Sequence, residues 1–310
     1  MDRQRNYQSL FNKIQCDVKA FVFDYDGTIK SSFEPDCKPL ELIEKIVRNN
    51  KFVGIITASG MSALNGLAEQ IIELIKKNNF TDPVYLGIAN GTALYKLDKD
   101  GKNELYNYSI EIEDIQKILE AWKNVMNKIE IKDEDLMEKG LNTFKDFLIK
   151  DWGESIPKDF LSLSKKYNGK CFVEKLKATF VMPKNEIFPQ EKFISLMQEE
   201  INKVLGNEKF IIDMGDNIFA HTTKRPGMAP KLFALKKIME DLNLKNDQLV
   251  TFGDMPFGND KGLLIDSGLP YTFTNKNFEK ENIETPPFIL PNSELKPVLS
   301  VYKAVENLLY

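Results

Sequence analysis

Asp24, Asp26, Thr57, Asp254 and Asp260 all fall where the residue pattern ends a buried strand, and Lys231 falls near the start of a helix. Two carboxylates as close as Asp24 and Asp26 repel unless a cation or a shared proton compensates them. A hard divalent cation such as Mg²⁺ suits them, because it prefers oxygen ligands and keeps several waters. With that charge offset, Asp24 could attack phosphorus, while Asp26 protonates the leaving oxygen and later activates water. Gly27 lets the chain turn sharply away from the strand. The Thr57 hydroxyl and the N–H groups of Ala58 and Ser59 are suited to gripping phosphate oxygens. Lys231 would offset negative charge on Asp24 and the phosphate. Asp254, with Asp260 or Asn259, offers oxygen ligands on a single turn.

Each residue also has a plainer reading. Asp-Gly is common in turns, Thr57 alone reads as a helix cap, and a helical lysine is ordinarily solvated. Their shared position separates the two readings. In open parallel sheets, ligands bind beyond the carboxyl ends of the strands, and these residues occupy several such ends in succession.

The elements that must position them follow from periodicity. Residues 18–23 and 52–56 are apolar runs rich in β-branched and aromatic side chains, as strands buried on both faces should be. Helices over 40–49 and 62–78 and a strand over 84–89 complete βαβ units and hence a parallel sheet. The alternation then lapses. A hairpin (94–97 and 104–108), a helix over 112–129, strands at 171–174 and 178–182, a helix over 190–205 and strands at 210–213 and 217–221 read as an α+β unit. Alternation resumes with helix 229–242, strand 249–252, helix 259–267 and strand 271–273. A polar loop over 275–287, a strand at 288–290 and a helix over 295–309 close the chain. The expected fold class is therefore α/β: a doubly wound, Rossmann-like parallel sheet core formed by residues 1–89 and 222–310, with an inserted α+β cap domain, residues 90–221.

The string Phe21-Val22-Phe23-Asp24-Tyr25-Asp26-Gly27-Thr28 resembles the first motif of the haloacid dehalogenase-like phosphatases. Thr57, Lys231 and Gly253-Asp254…Asn259-Asp260 resemble the second, third and fourth motifs, in the same order. The resemblance implies that Asp24 is the nucleophile, Asp26 the general acid/base, and Mg²⁺ the cofactor. Its implied metal set is Asp24, Asp26, Asp254 and either Asn259 or Asp260. The short interval from Asp24 to Thr57 and the long one from Thr57 to Lys231 resemble the subgroup with an α/β cap after the second motif. That subgroup includes sugar-phosphate phosphatases. Gly87-Ile88-Ala89-Asn90-Gly91 is similar to its passage into the cap, which adds Asn90 and Gly91 to the phosphate-binding candidates. The chain departs from its relatives in two places. Ala58-Ser59 replaces the common Gly-Arg after Thr57, and Pro256-Phe257-Gly258 lengthens the fourth motif.

Composition bounds the rest. The chain has 310 residues, 42% hydrophobic and 28% charged, with a net charge of −4. No basic field suited to nucleic acid is evident, and no run is long and apolar enough to span a membrane. Three widely spaced cysteines argue for reduced thiols and a cytoplasmic setting. The expected partner is a small phosphorylated metabolite, with a sugar phosphate first, held under a mobile cap. A phosphosugar mutase and a catalytically silent binding protein are the alternatives. In the inserted unit Trp122 and Trp152 could stack on a sugar and Glu174 and Lys175 could face the cleft, while the single histidine, His221, lacks metal partners and reads as a hinge-strand residue.

Overall fold

A strand without a polar face needs cover on both sides, and the chain supplies it by alternating strands with amphipathic helices. The computed structural model describes residues 2–310, apart from 32–33, 35, 65, 151, 153–155, 207–208, 216–217, 277–285 and 292–295. In chain order the elements are α1 (Asp2–Gln15), β1 (Ala20–Phe23), α2 (Pro39–Arg48), β2 (Phe52–Ile56), α3 (Leu67–Asn78), β3 (Val84–Ile88), β4 (Ala93–Asp98) and β5 (Gly101–Asn107). Next come α4 (Ile112–Lys128), α5 (Glu138–Ile149), α6 (Lys158–Lys166), β6 (Cys171–Glu174), β7 (Lys177–Val181), α7 (Gln190–Leu205), β8 (Phe210–Gly215) and β9 (Phe219–Lys224). The last are α8 (Pro230–Asp241), β10 (Leu249–Gly253), α9 (Lys261–Leu264), β11 (Thr272–Thr274), β12 (Phe288–Ile289) and α10 (Pro297–Leu309). They form two compact units, one from Met1–Thr57, Gly66–Tyr106 and Lys231–Tyr310, the other from Ala58–Asn65 and Asn107–Pro230. None of the described helices is long and apolar enough to cross a membrane.

The first unit is built on a sheet of order β12-β11-β10-β1-β2-β3-β4-β5. Strands β12 through β3 in that order run parallel, and β4 pairs antiparallel with β3. The chain winds outward from β1 through β2 and β3, then returns to the other side of β1 as β10. The β1/β10 boundary is therefore the topological switch point, where the carboxyl ends of two strands open a crevice. Phe23, Phe252, Phe273 and Phe288 stand in register across four strands. Their ring centroids are 5.1, 5.4 and 5.4 Å apart in succession. Each such pair is worth roughly 0.5–1.5 kcal/mol beyond area burial, so the ladder holds the two halves of the sheet in one register. On the opposite face, Ala234, Leu235 and Ile238 of α8 pack with Ala20, Val22, Ile56 and Leu249. A Cβ at Gly54 would come within 3.1 Å of side-chain atoms of both Ile238 and Val22, tight enough that they would have to give way.

The second unit carries an antiparallel sheet of order β6-β7-β9-β8. Helices α4 and α7 contribute Ile118, Trp122, Phe193 and Met197 to one core with Ala178, Phe180 and Ala220 of the strands. The alternate strand positions carry Lys177, Thr179, His221 and Thr223, with Lys177 paired to Thr223 and Thr179 to His221.

Several expectations shift. The hairpin of β4 and β5, assigned to the inserted unit from the lapse in βαβ alternation, instead extends the large sheet beyond β3. Periodicity marks a strand but not the edge to which it pairs. The helix expected over 62–78 splits into a 3-10 turn at Met61–Leu64 and α3, interrupted by Gly66 in the left-handed region (φ 77°). Helix α9 is much shorter than expected, because residues 255–260 form a turn around Asp260. Trp122 and Trp152 are buried in the second unit, Trp122 stacked on Phe180 and Trp152 edge-on to Phe147, so both serve packing. The strand expected at 217–221 begins outside the described residues and is found as β9. Most of the polar loop expected over 275–287 also lies outside them.

Candidate active site

The site begins with the loop after β1. The Asp24 amide donates to Phe252 O of β10 at 2.9 Å, so the last rung of the ladder fixes where that side chain leaves the sheet. Tyr25 O then accepts from the N–H groups of Ile29 and Lys30, both at 3.0 Å, and Gly27 N donates to Lys30 O at 2.8 Å. Gly27 takes φ 84°, and a Cβ there would sit 2.6 Å from Asp254 Oδ2. Glycine is required twice over, for conformation and for the approach of a carboxylate. Two outside groups pin the loop: Tyr302 of α10 donates to Ile29 O, and Asn275 Nδ2 to Gly27 O.

Asp24, Asp254 and Asp260 are all buried, and each offers an oxygen within 4.8 Å of the other two. Lys231, only 2% exposed, donates to Asp24 Oδ1 at 2.7 Å and Asp260 Oδ1 at 2.6 Å. Asp260 Oδ2 accepts from the N–H groups of Asp254 and Met255 at 2.9 and 3.0 Å. Asp260 thus grips the lysine with one oxygen and the Asp254 backbone with the other. Thr28 donates to Asp24 Oδ2 at 3.3 Å. Burial, then the neighbouring Asp260 carboxylate, push the Asp24 pKa well up, while Lys231 opposes them. For Lys231, burial favours the neutral amine, but Asp24 and Asp260 outweigh it and hold the pKa above the usual 10.5. The lysine is therefore charged, and its ammonium bridges two of the three carboxylates.

This donor set fits a divalent cation: the oxygens converge, nitrogen and sulfur ligands are absent from the group, and negative charge is in excess. Asp26 is exposed, on the same loop but outside this triad. Asn259 is half-buried in the turn between Asp254 and Asp260.

Thr57 is buried at the end of β2, next to β1, since Phe23 pairs with Ile55. Its N–H donates to Gly87 O at 2.9 Å and its carbonyl accepts from Asn90 N at 2.8 Å. Asn90 lies in a tight link, Ala89-Asn90-Gly91, with φ values of 49°, 60° and 82°. Two consecutive non-glycine residues in the left-handed region are strained backbone of the kind found at functional sites. Tyr106 secures the link by donating to Gly91 O. Ala58 and Ser59 belong to the second unit, where Lys177 Nζ donates to Ala58 O at 2.9 Å. There too, His221 is buried at the middle of β9, with Nδ1 3.1 Å from Thr179 Oγ1.

Residue types alone missed Asn275 and Lys276. Asn275 is buried directly after β11, and Lys276 Nζ lies 2.6 Å from Asp254 Oδ2. The signal was present, because these too follow the carboxyl end of a parallel strand. The same rule that singled out Asp24 and Asp254 would have found them.

No curated protein sequence matches the chain at a significant level. Among solved structures, a Plasmodium vivax protein described as a putative HAD/COF-like hydrolase superposes with a TM-score of 0.60 at 21% identity, covering 96% of this chain and 99% of that one. A structure described with a trigonal-bipyramidal intermediate in a phosphoryl-transfer superfamily gives 0.58 at 17% identity, covering 94% and 99%. The Plasmodium falciparum IMP-nucleotidase gives 0.56 at 12% identity, covering 96% and 72%. At these identities the likeness is one of fold. A family profile described as haloacid dehalogenase-like hydrolase matches residues 21–285. That span takes in the strands from β1, less its first residue, to β11 and the whole carboxylate cluster, and the chain belongs to the haloacid dehalogenase-like hydrolase family.

Proposed function

We propose that the chain is a Mg²⁺-dependent phosphomonoesterase that works through an aspartyl-phosphate intermediate on Asp24. The observation that carries this reading is the buried Lys231 bridging Asp24 and Asp260 beside Asp254. Burying three carboxylates and a lysine costs stability, and core packing has no need of them.

In this reading an Asp24 oxygen forms a bond to phosphorus as the bond to the leaving oxygen breaks. Asp26, exposed on the same loop, delivers the proton to that oxygen. Asp26 then takes a proton from water, whose oxygen attacks the phosphorus and returns Asp24 and inorganic phosphate. Lys231 keeps Asp24 oriented and offsets charge on the transferring group. The Thr57 hydroxyl, with the backbone of Asn90 and Gly91, holds phosphate oxygens. Asp24 and Asp254 would hold Mg²⁺, with Asp260 positioning Asp254 from behind. Bound there, the ion would neutralise phosphate charge and offset the burial that raises Asp24.

The substrate class is a small phosphorylated metabolite, with sugar phosphates first on the family resemblance. The fold likeness to an IMP-nucleotidase adds nucleoside monophosphates to the compounds worth testing. Substrate choice is assigned to the second unit, because the reacting groups all lie on the first. The test is phosphate release from a panel of sugar phosphates and nucleoside monophosphates, with Mg²⁺ or with EDTA. Mg²⁺-dependent release from at least one compound is expected. Transfer of the group to another position of the substrate, without free phosphate, would replace this reading with a mutase.

A further inference from the structure

We propose that Lys276 is a displaceable counter-ion of Asp254 that sets how tightly the site takes a divalent cation. The inference rests on the reading of Asp254 as a metal ligand.

The three buried carboxylates are engaged in different ways. Lys231 and Thr28 hold the two oxygens of Asp24, and Lys231 and two backbone N–H groups hold those of Asp260. These partners are fixed parts of the fold, and Lys231 is itself buried. Asp254 is only 4% exposed at its side chain, yet the ammonium 2.6 Å from its Oδ2 belongs to a lysine that is 51% exposed. Lys276 therefore reaches inward from the surface to a buried carboxylate. Its stem can swing into water without leaving a cavity, which Lys231 cannot do.

The root of that lysine is held in place. Asn275 is 1% exposed and ties the end of β11 to the Asp24 loop through its bond to Gly27 O. The Lys276 amide donates to Thr274 Oγ1 at 3.3 Å, which further fixes the backbone from which the side chain departs. An ammonium and a metal ion make the same demand on one carboxylate. A metal on that oxygen displaces the lysine, and a metal on the other oxygen meets its repulsion, so in either case the lysine lowers the metal's affinity. The arrangement limits charge repulsion in the cluster while keeping one carboxylate exchangeable.

The probe is Mg²⁺ itself, titrated calorimetrically into the full-length protein without substrate, with melting followed in parallel. Variants are the apolar Lys276→Met, the uncharged but polar Lys276→Gln, and Lys45→Met as a control at another ion-paired lysine. Lys276→Met and Lys276→Gln should bind Mg²⁺ about fivefold tighter than the parent, a shift typical of losing one partly exposed ion pair. Both should melt lower in EDTA and gain more from saturating Mg²⁺, while Lys45→Met matches the parent. An affinity within twofold of the parent in both folded variants, or a weaker one, overturns the proposal. So does weaker binding of inorganic phosphate with unchanged Mg²⁺ affinity, which would make Lys276 a phosphate ligand. Absence of Mg²⁺ binding by the parent would overturn the metal-site reading itself along with this one.

Discussion

Helix α8 has a charged group near each end, and each opposes the helix dipole. Lys231 lies in the first turn, where the positive end disfavours a cation, and Asp241 is the last residue, where the negative end disfavours an anion. Each is paired, but in different ways. Lys231 is buried with two buried carboxylates. Asp241 is a third exposed, paired with Lys96 at 2.8 Å and accepting from the Tyr85 hydroxyl. The outer end is an ordinary surface ion pair, worth at most about 1 kcal/mol. The inner end bears the desolvation of four charged groups, which an apolar core of the same shape would avoid. A fold that gained only stability would build both ends like the outer one. The inner end is kept, in the proposed reading, for what it does to a phosphate.

The sharpest way to break this comparison is at the inner end. Lys231→Met should cost about 3–5 kcal/mol by stranding buried carboxylates. It should also lower turnover by at least about 100-fold. The sign with pH follows from the raised pKa. The lysine's contribution is full below its ordinary value of 10.5 and fades only as pH climbs through the higher folded value. The gap between parent and variant in chemical denaturation should thus narrow in strong alkali, as the lysine gives up its proton. A gap under about 1 kcal/mol at neutral pH would make the two ends of α8 equivalent.

Next in size is Asp254→Asn. It should weaken Mg²⁺ binding by more than about tenfold while leaving the melting temperature in EDTA unchanged or raised, because it removes one like charge from a crowded cluster. Unaltered Mg²⁺ affinity would remove Asp254 from the metal site. The smallest effect belongs to the outer end. The hydrogen bond from Lys96, then that from Tyr85, hold the Asp241 pKa below its ordinary 3.8. The benefit is present above that value and is lost as pH falls through the lower folded value. Asp241→Asn should therefore cost under about 1 kcal/mol at pH 7, with the difference vanishing in acid below the usual carboxylate range. A larger cost at pH 7, or one that survives in acid, would contradict the assignment of this end as an ordinary surface pair.

The same contrast explains what was legible in the sequence. Strands β1, β2, β3 and β10 are buried on both faces, so their composition alone announces them, and Asp24, Thr57 and Asp254 stand out as polar residues at their ends. Lys231 was identified by its order among those residues, not by any local pattern, since a lysine in an amphipathic helix usually faces water. The β4–β5 hairpin was recognised as a hairpin, but pairing to β3 is a long-range choice that period-two alternation does not encode. Lys276 was missed because a lysine opening a polar loop has an obvious surface reading. Its place just beyond the end of β11 and its 2.6 Å approach to Asp254 are what mark it out.

The most direct test of the central claim is the turnover of Asp24→Asn on the best substrate from the panel. The amide is nearly isosteric with the carboxylate and a poor nucleophile, so turnover should fall below about 1% of the parent. The circular dichroism spectrum and cooperative melting should be retained, since Phe252 O and the loop around Gly27 still hold the backbone. More than a few per cent of parental turnover, roughly the threshold above which an essential nucleophile is untenable, with deamidation excluded by intact mass, would contradict attack by Asp24.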